Sequence, residues 1–162
     1  MKRRLCALTV ALLIIFSMLM SLGGCKQYNA ANFVVFDGAG EPVELEDFIG
    51  KPIVVNFWAT WCGYCKIEMP DFNDAYHANP DVEFMMINYT DGNDTVDKAS
   101  AFIRQNGYDF PVYYDLTLDA SSAYEVEAFP TTLFISRSGD VVKVVSGAID
   151  AKTLGEYIAL IK

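Results

Sequence analysis

Two cysteines, Cys62 and Cys65, closely follow an apolar segment of strand length in this chain of 162 residues. The segment, residues 53–59, reads IVVNFWA and does not alternate between apolar and polar positions. Such a run of β-branched and aromatic residues is typical of a strand buried on both faces of a parallel sheet. The sequence from Cys62 to about His77 has the character of a helix. The pattern therefore places the cysteine pair where a buried strand gives way to a helix.

The rest of the chain alternates strand-like and helix-like segments, which is typical of an α/β domain with a mixed sheet. In chain order, the pattern predicts a hairpin over residues 33–45, a strand over 82–89, a helix from Asp94 or Thr95 to Asn106, an extended piece at 112–114, one or two helical turns to Tyr124, an antiparallel pair over 131–136 and 141–146, and a helix over 150–161. The helix after the cysteines should bury one face. Its apolar candidates are Ile67, Phe72, Ala75 and Tyr76.

The N-terminus has the features of a secretory signal. Three basic residues at 2–4 precede an apolar run over about 5–20, and the small residues of LGGC at 22–25 follow. This last stretch resembles the lipobox of bacterial lipoproteins, whose cysteine is lipidated. We therefore expect a signal peptide over 1–24, a lipidated Cys25 with a tether to residue 32, and one domain over 33–162. The alternative is an uncleaved membrane helix, and both interpretations place the domain outside the cytoplasm.

Charge and cysteine usage narrow the function further. The formal net charge of −9 argues against nucleic acid and anionic lipid headgroups as partners. Cys6 would leave with the signal and Cys25 would carry lipid, so Cys62 and Cys65 remain as the thiols of the domain. A bridge that closes so short a loop constrains the unfolded chain little. The pair is therefore better interpreted as a reactive dithiol than as a structural disulfide, although an inert disulfide stays an alternative.

The placement of Cys62 at a helix N-terminus suits a nucleophile. A cysteine reacts as its thiolate, which the unpaired amides and the positive end of the helix dipole stabilise. Cys62 should therefore attack a partner's disulfide, and Cys65, one turn on and more shielded, should resolve the mixed disulfide. The alternative of half a zinc site is weak because structural zinc needs four ligands, and the domain adds only His77 to the two thiols. We predict no metal and no cofactor, and we assign His77 no role.

Two motifs resemble a known family. NFWATWCGYCKIEMP at 56–70 is similar to the active-site segment of the TlpA/ResA group of membrane-anchored thioredoxin-like proteins, and YEVEAFPTTLFI at 124–135 resembles the group's second signature. The resemblance implies a thioredoxin fold, with a central mixed β-sheet flanked by helices and an N-terminal β-hairpin extension. It also implies a redox-active disulfide between Cys62 and Cys65.

The resemblance implies roles for further residues. Pro130 corresponds to the family's cis-proline beside the two sulfurs, with a plain turn as the alternative. The backbone at Phe129 would pair with the substrate chain in a short strand addition. Trp61 would cover the nucleophile, unless it is simply a packing residue.

Three positions bear on the subtype. Asn56 stands where classical thioredoxins have a buried aspartate, as is common in the TlpA/ResA group. Glu68 matches an acidic residue near the group's active site and would accept a proton, although a solvated surface glutamate is an equal alternative. Tyr64 replaces the commoner proline between the cysteines, and this residue tunes the reduction potential.

The first functional hypothesis is a thiol-disulfide oxidoreductase that reduces exported proteins. Candidate substrates are apocytochromes or an exported methionine sulfoxide reductase, and a membrane thiol carrier would supply the electrons. The second is a disulfide oxidase or isomerase. Isomerases usually add a dimerisation domain, and we expect no residues here for one, which speaks against an isomerase. We also expect a monomer. A potential near about −270 mV would support reduction, and one near about −120 mV oxidation.

The third hypothesis is a non-catalytic, lipid-tethered binding module, against which the intact cysteines and Pro130 speak. Peroxiredoxins share much of the scaffold but need proline and threonine upstream of the reactive thiol. The sequence before Cys62 does not provide that context.

Overall fold

The computed structural model describes residues 29–162, in which strands and helices alternate for most of the length. The strands are β1 Val34–Phe36, β2 Pro42–Glu44, β3 Ile53–Trp58, β4 Glu83–Asn88, β5 Val112–Tyr114, β6 Thr131–Ile135 and β7 Val141–Ser146. The helices are α1 Gly63–Ala78, α2 Val96–Asn106, α3 Asp119–Ala123 and α4 Ala151–Ile161, and a short 3₁₀ helix, Leu45–Phe48, follows β2.

The strands form a single mixed sheet in the order β2-β1-β5-β4-β3-β6-β7. Strand β3 pairs in parallel with β4 and antiparallel with β6. The hairpin of β1 and β2 joins the sheet beside β5, through the pairing of Phe36 with Tyr114. The predicted mixed sheet with an N-terminal hairpin extension is confirmed.

Strand β3 is buried along its whole length because both faces of the sheet are covered. Val54 and Trp58 pack in a core with residues of α1 and α4, whereas Val55 and Phe57 belong to a second core on the other face. Burying a side chain such as Phe57 contributes about 1.5–3 kcal/mol. Residues 53–58 therefore lack alternation between apolar and polar positions because β3 packs on both of its faces, as the sequence indicated. This packing holds in place the strand that leads into the cysteine loop.

Helix α1 rests on the sheet partly through the predicted residues, because Phe72 is fully buried as expected. Its buried residues are Cys65, Glu68, Met69 and Phe72. Ala75 and Tyr76 are partly buried against the same core, as expected. The prediction for Ile67 is wrong, because its side chain is 71% exposed. Successive helical residues lie about 100° apart, so a residue two positions after the buried Cys65 faces away from the sheet.

Helix α2 has the ends that its sequence predicts. Of the two candidate caps, Thr95 is the one used, and its side chain accepts a hydrogen bond from the Lys98 N–H. Gly107 ends the helix with φ of 70°, a conformation that glycine adopts at low cost. Asp94 is free of the capping role and lies buried beside the cysteine loop.

The described chain begins at the end of the sheet that is remote from the cysteines. The Ala30 N–H donates to the Gly139 carbonyl at 2.9 Å, in the turn between β6 and β7. That turn follows Ile135, which pairs with Ile53 at the start of β3. The predicted signal peptide and Cys25 lie outside the described residues. No helix within 29–162 has the length and apolar character needed to cross a bilayer.

Candidate active site

The cysteine loop turns sharply from β3 into α1. The Cys62 N–H donates to the Ala59 carbonyl at 3.1 Å, and Cys62 itself is the N-cap residue of the helix. Cys62 and Cys65 form a disulfide with their Cα atoms 5.4 Å apart. Cys62 keeps 6% of its surface exposed and Cys65 keeps none. The structure thus brings the two predicted residues together, with the second one the more shielded.

The N-terminus of α1 provides the electrostatic setting for Cys62. The Cys65 N–H points at the Cys62 sulfur, with an N–S distance of 3.1 Å. When the bond is reduced, this amide and the positive end of the helix dipole favour a thiolate at that sulfur. The geometry therefore suits Cys62, rather than the enclosed Cys65, to the attacking role.

The segment before β6 carries the predicted proline. The peptide bond between Phe129 and Pro130 is cis, the isomer that the family resemblance implies. The Phe129 ring lies between two aromatic neighbours, 5.6 Å from Trp61 and 4.9 Å from Tyr89 between ring centroids. Trp61 is half exposed. The loop of Cys62 and the segment of Pro130 are therefore joined by aromatic contacts.

Apolar side chains surround the cysteine loop on its exposed side. Trp61, Tyr64 and Ile67 are 50%, 69% and 71% exposed, respectively, and we call them the apolar collar. Tyr64, Ile67 and Gly63 also line a shallow cavity. Sequence reasoning missed this surface, because an apolar residue on a helix is assigned to the core by default. The expected shielding of Cys65 was the available signal, because a residue two positions further along a helix faces the opposite side.

Glu68 is buried beneath α1, so the alternative of a solvated surface glutamate is wrong. Only 2% of the residue is exposed. Its Oε1 accepts from Asn56 Nδ2 at 2.8 Å, and its Oε2 accepts from the Ile149 N–H at 3.0 Å. Burial raises the pKa of Glu68 to about 7, against the two hydrogen bonds that lower it. A carboxyl with this pKa changes its protonation near neutral pH.

Glu68 and Cys65 lie on the same face of α1. They are three residues apart, a spacing at which helical side chains are neighbours. Asn56 lies on β3 below them and also donates to Thr132 Oγ1 at 3.0 Å, while its Oδ1 has no partner among the described residues. The inner side of the cysteine pair is thus flanked by a small buried polar group in an otherwise apolar core.

His77 lies apart from this site, as expected. Its side chain is exposed, and its Nε2 is 3.3 Å from a carboxylate oxygen of Asp109. Over residues 29–162, no three His, Cys, Asp or Glu side chains come together in a way that would hold a metal ion.

Comparison with known proteins places these features in a family. Residues 27–144 match the AhpC/TSA family. The thiol-disulfide oxidoreductase ResA of Bacillus subtilis is 37% identical over 136 residues, which cover 83% of this chain and 74% of ResA. ResA of Halalkalibacterium halodurans is 35% identical over 136 residues, which cover 83% of this chain and 76% of that ResA.

Solved structures agree with the fold. StoA from Bacillus subtilis superposes with a TM-score of 0.69 and 26% identity, covering 78% of this chain and 96% of StoA. A putative thiol:disulfide interchange protein DsbE from Chlorobium tepidum superposes with a TM-score of 0.73 and 26% identity, covering 85% of this chain and 97% of DsbE. The chain therefore belongs to the AhpC/TSA family, among the ResA-like thiol-disulfide oxidoreductases of thioredoxin fold.

Proposed function

We propose that this protein reduces disulfides of exported proteins outside the cytoplasm, with Cys62 as the attacking thiol and Cys65 as the resolving thiol. The observation that carries the proposal is the Cys62 sulfur at the N-cap of α1 with the Cys65 N–H directed at it. The family supplies the reaction class, and the helix end supplies the difference between the two thiols.

The reaction balances as two successive thiol–disulfide exchanges. The Cys62 thiolate attacks one sulfur of the substrate disulfide, and the other sulfur leaves as a thiolate. Cys65 then loses its proton and attacks the Cys62 sulfur of the mixed disulfide. The second substrate thiol is released, and a disulfide joins Cys62 to Cys65. The substrate gains the two electrons that the cysteine pair loses, so a reductant must restore the dithiol.

Glu68 is proposed as the group that accepts the Cys65 proton. Cys65 is enclosed and has no access to bulk water, so its deprotonation needs a nearby base. A carboxyl with a pKa of about 7 is suited to take a proton near neutral pH and to return it later. The neighbouring helical position supports this role.

The substrate is proposed to lie across Trp61 and the segment of Phe129 and Pro130. The Phe129 backbone would add a strand-like pairing to the substrate chain, which gives affinity without reading its sequence. The apolar collar would cover apolar residues beside the substrate disulfide. Such a site accepts many unfolded or extended segments, in keeping with substrates such as apocytochromes or an exported methionine sulfoxide reductase.

A Cys65→Ala variant is expected to accumulate mixed disulfides through Cys62, because the resolving thiol is gone. Non-reducing electrophoresis and mass spectrometry of the trapped species would identify the partners, and we expect exported proteins with cysteines. The double variant Cys62→Ser, Cys65→Ala is the matched control and should trap nothing. Recovery of no partner under varied redox conditions would contradict a catalytic role.

Lipidation of Cys25 is proposed to hold the protein at the membrane, with a membrane thiol carrier as its electron donor. The support is the LGGC stretch at residues 22–25 after an apolar run. Replacing Cys25 with serine is expected to move the protein from the membrane to the soluble fraction, because stable anchoring needs the acyl chains on that residue. Cell fractionation measures this, with Cys6→Ser as the control. A Cys25→Ser protein that stays in the membrane fraction would favour an uncleaved membrane helix.

A further inference from the structure

Asp94 is a buried carboxylate that the proposed reaction leaves unexplained. It precedes the cap of α2, and no part of its side chain is exposed. Its Oδ2 accepts from the Thr60 N–H at 2.6 Å, and its Oδ1 accepts from the Thr60 hydroxyl. Asn88 Nδ2 donates to Oδ2 at 3.0 Å, and the Lys98 ammonium lies 3.4 Å from Oδ1. Four polar groups from three segments of the chain therefore converge on one carboxylate.

These contacts keep Asp94 ionised despite its burial. Burial by itself raises the pKa of Asp94, but the donors on Thr60, Asn88 and Lys98 outweigh that effect and leave the pKa below its usual value. An ionised group held inside a protein is costly unless each oxygen is satisfied. The positions of these donors are therefore constrained, since the loss of one would leave the buried carboxylate with a hydrogen bond fewer.

The contacts of Asp94 converge on the loop of the reactive cysteine. Thr60 is also buried, and it lies inside the turn that the Cys62 N–H closes on the Ala59 carbonyl. Thr60 donates both its backbone N–H and its hydroxyl to the same carboxylate. Two bonds to one residue fix its position and its orientation together. The carboxylate thus holds the loop two residues before Cys62.

The same carboxylate ties this loop to the neighbouring strand. Asn88 is the last residue of β4, and the next N–H, that of Tyr89, donates to the Trp58 carbonyl at 2.9 Å. Tyr89 in turn packs on Phe129. The ends of β3 and β4, which carry the cysteine loop and the aromatic contact to the proline segment, are therefore joined through Asp94.

We propose that Asp94 is a positioning residue for the exchange reaction, which holds Thr60 and thereby keeps the Cys62 sulfur aligned with the N-terminus of α1. This inference rests on the proposed role of Cys62 as the attacking thiol. Asp94 itself does not touch the substrate. It acts through the loop geometry, and so through the stability of the Cys62 thiolate.

The sign of the effect separates positioning from simple charge repulsion. A negative charge near a thiol disfavours its thiolate, so a purely electrostatic Asp94 would raise the pKa of Cys62, and removing the charge would lower it. A positioning Asp94 keeps the sulfur at the helix end, so its removal raises the pKa of Cys62. Asp94→Asn removes the charge and one acceptor oxygen at nearly constant shape, and it tests both possibilities at once.

The experiment measures the rate at which iodoacetamide alkylates Cys62 in the purified, reduced protein across a pH titration, with mass spectrometry to identify the modified cysteine. In Asp94→Asn, the pKa of Cys62 is expected to rise by about one unit, and the alkylation rate at pH 7 to fall severalfold. A lowered pKa would assign Asp94 a charge effect alone. An unchanged pKa would assign it a structural role only. Either result overturns the inference.

Three further variants control the test. Thr95→Ala removes the neighbouring helix cap without touching Thr60, so it should leave the Cys62 titration as in the wild type, whatever it does to stability. Thr60→Val deletes the hydroxyl bond from the other side and should raise the pKa of Cys62, whereas Thr60→Ser should restore most of it. This pair decides the matter if Asp94→Asn does not fold.

The failures of the two proposals are distinguishable. If Cys62 of the wild-type protein titrates like a free cysteine, the proposed attacking role of Cys62 is wrong. If Cys62 of the wild-type protein has a low pKa that Asp94→Asn and Thr60→Val leave unchanged, only the positioning role is wrong.

Discussion

Replacing Cys62 with serine is expected to reduce the rate of disulfide reduction to that of the uncatalysed reaction. Serine keeps the size and place of the residue, but its hydroxyl does not ionise near neutral pH and does not attack a disulfide. The resolving thiol cannot take over, because Cys65 is fully enclosed at the position it occupies in the structure. The measurement is the reduction of a protein disulfide, such as those of insulin, with dithiothreitol as the electron source.

Two further cysteine variants serve as comparisons for Cys62→Ser. Cys6→Ser should be fully active, since Cys6 lies within the predicted signal peptide. Cys65→Ser should keep the first exchange but stall at the mixed disulfide. A Cys62→Ser protein that retains its full biological activity would instead identify the chain as a binding module with an inactive cysteine pair.

Replacing Glu68 with glutamine is expected to slow the release of substrate from the mixed disulfide by about 10²-fold or more, the usual contribution of a positioned proton acceptor. In the wild-type protein, the rate of this step should rise through about pH 7, where Glu68 loses its proton. The glutamine variant should lack that inflection. Stopped-flow measurement of the decay of a preformed mixed disulfide follows this step separately from the first exchange.

The matched control is Asp74→Asn, on the exposed face of the same helix. It removes one negative charge from α1 without reaching the core, and it should leave the pH profile unchanged. Alkylation of Cys62 should be similar in the wild-type and Glu68→Gln proteins, because the first thiol does not need this base. An inflection near pH 7 that survives in Glu68→Gln would contradict the role of Glu68.

Stability gives a second readout of the same variant. The pKa of Glu68 is raised from 4.5 to about 7 on folding, so burial favours its neutral form. Its contribution to the free energy of unfolding is fully present below about pH 4.5 and is lost as the pH rises through about 7, a change of about 3 kcal/mol. Glu68→Gln should abolish this decline, although it also replaces one of the two acceptor oxygens of the side chain at every pH. Denaturant unfolding at several pH values measures the difference.

Most of the fold could be predicted because its local signals agree with its tertiary contacts. The segment at 53–59 is apolar throughout since both faces of β3 are covered, and the structure has the strand at Ile53–Trp58. The predicted end of α2 at Gly107 is observed because a left-handed residue there favours glycine. In both places the local conformational preference of the residues agrees with what the folded structure requires at that position.

The buried polar contacts could not be predicted, because they depend on which segments the fold brings together. Asp94 and Thr60 are 34 residues apart, and no local pattern marks them as partners. Asp94 looked like a helix cap, a role that Thr95 fills. For Glu68, the spacing to Cys65 left burial and exposure equally open. Contact with Asn56 on β3 and with Ile149 decides it, and both lie far away in the sequence.

The hydrogen bond of Ala30 to the turn at Gly139 determines which end of the domain lies nearest to residue 25. This turn and the cysteines lie at opposite ends of β3, whose six residues span about 20 Å. With acyl chains on Cys25, only four residue steps lead to Asn29, a reach of at most about 14 Å. The reactive end would then point outward from the lipid surface. Freely diffusing clients would reach it directly, while any reductant embedded in the bilayer would need a protruding arm of its own.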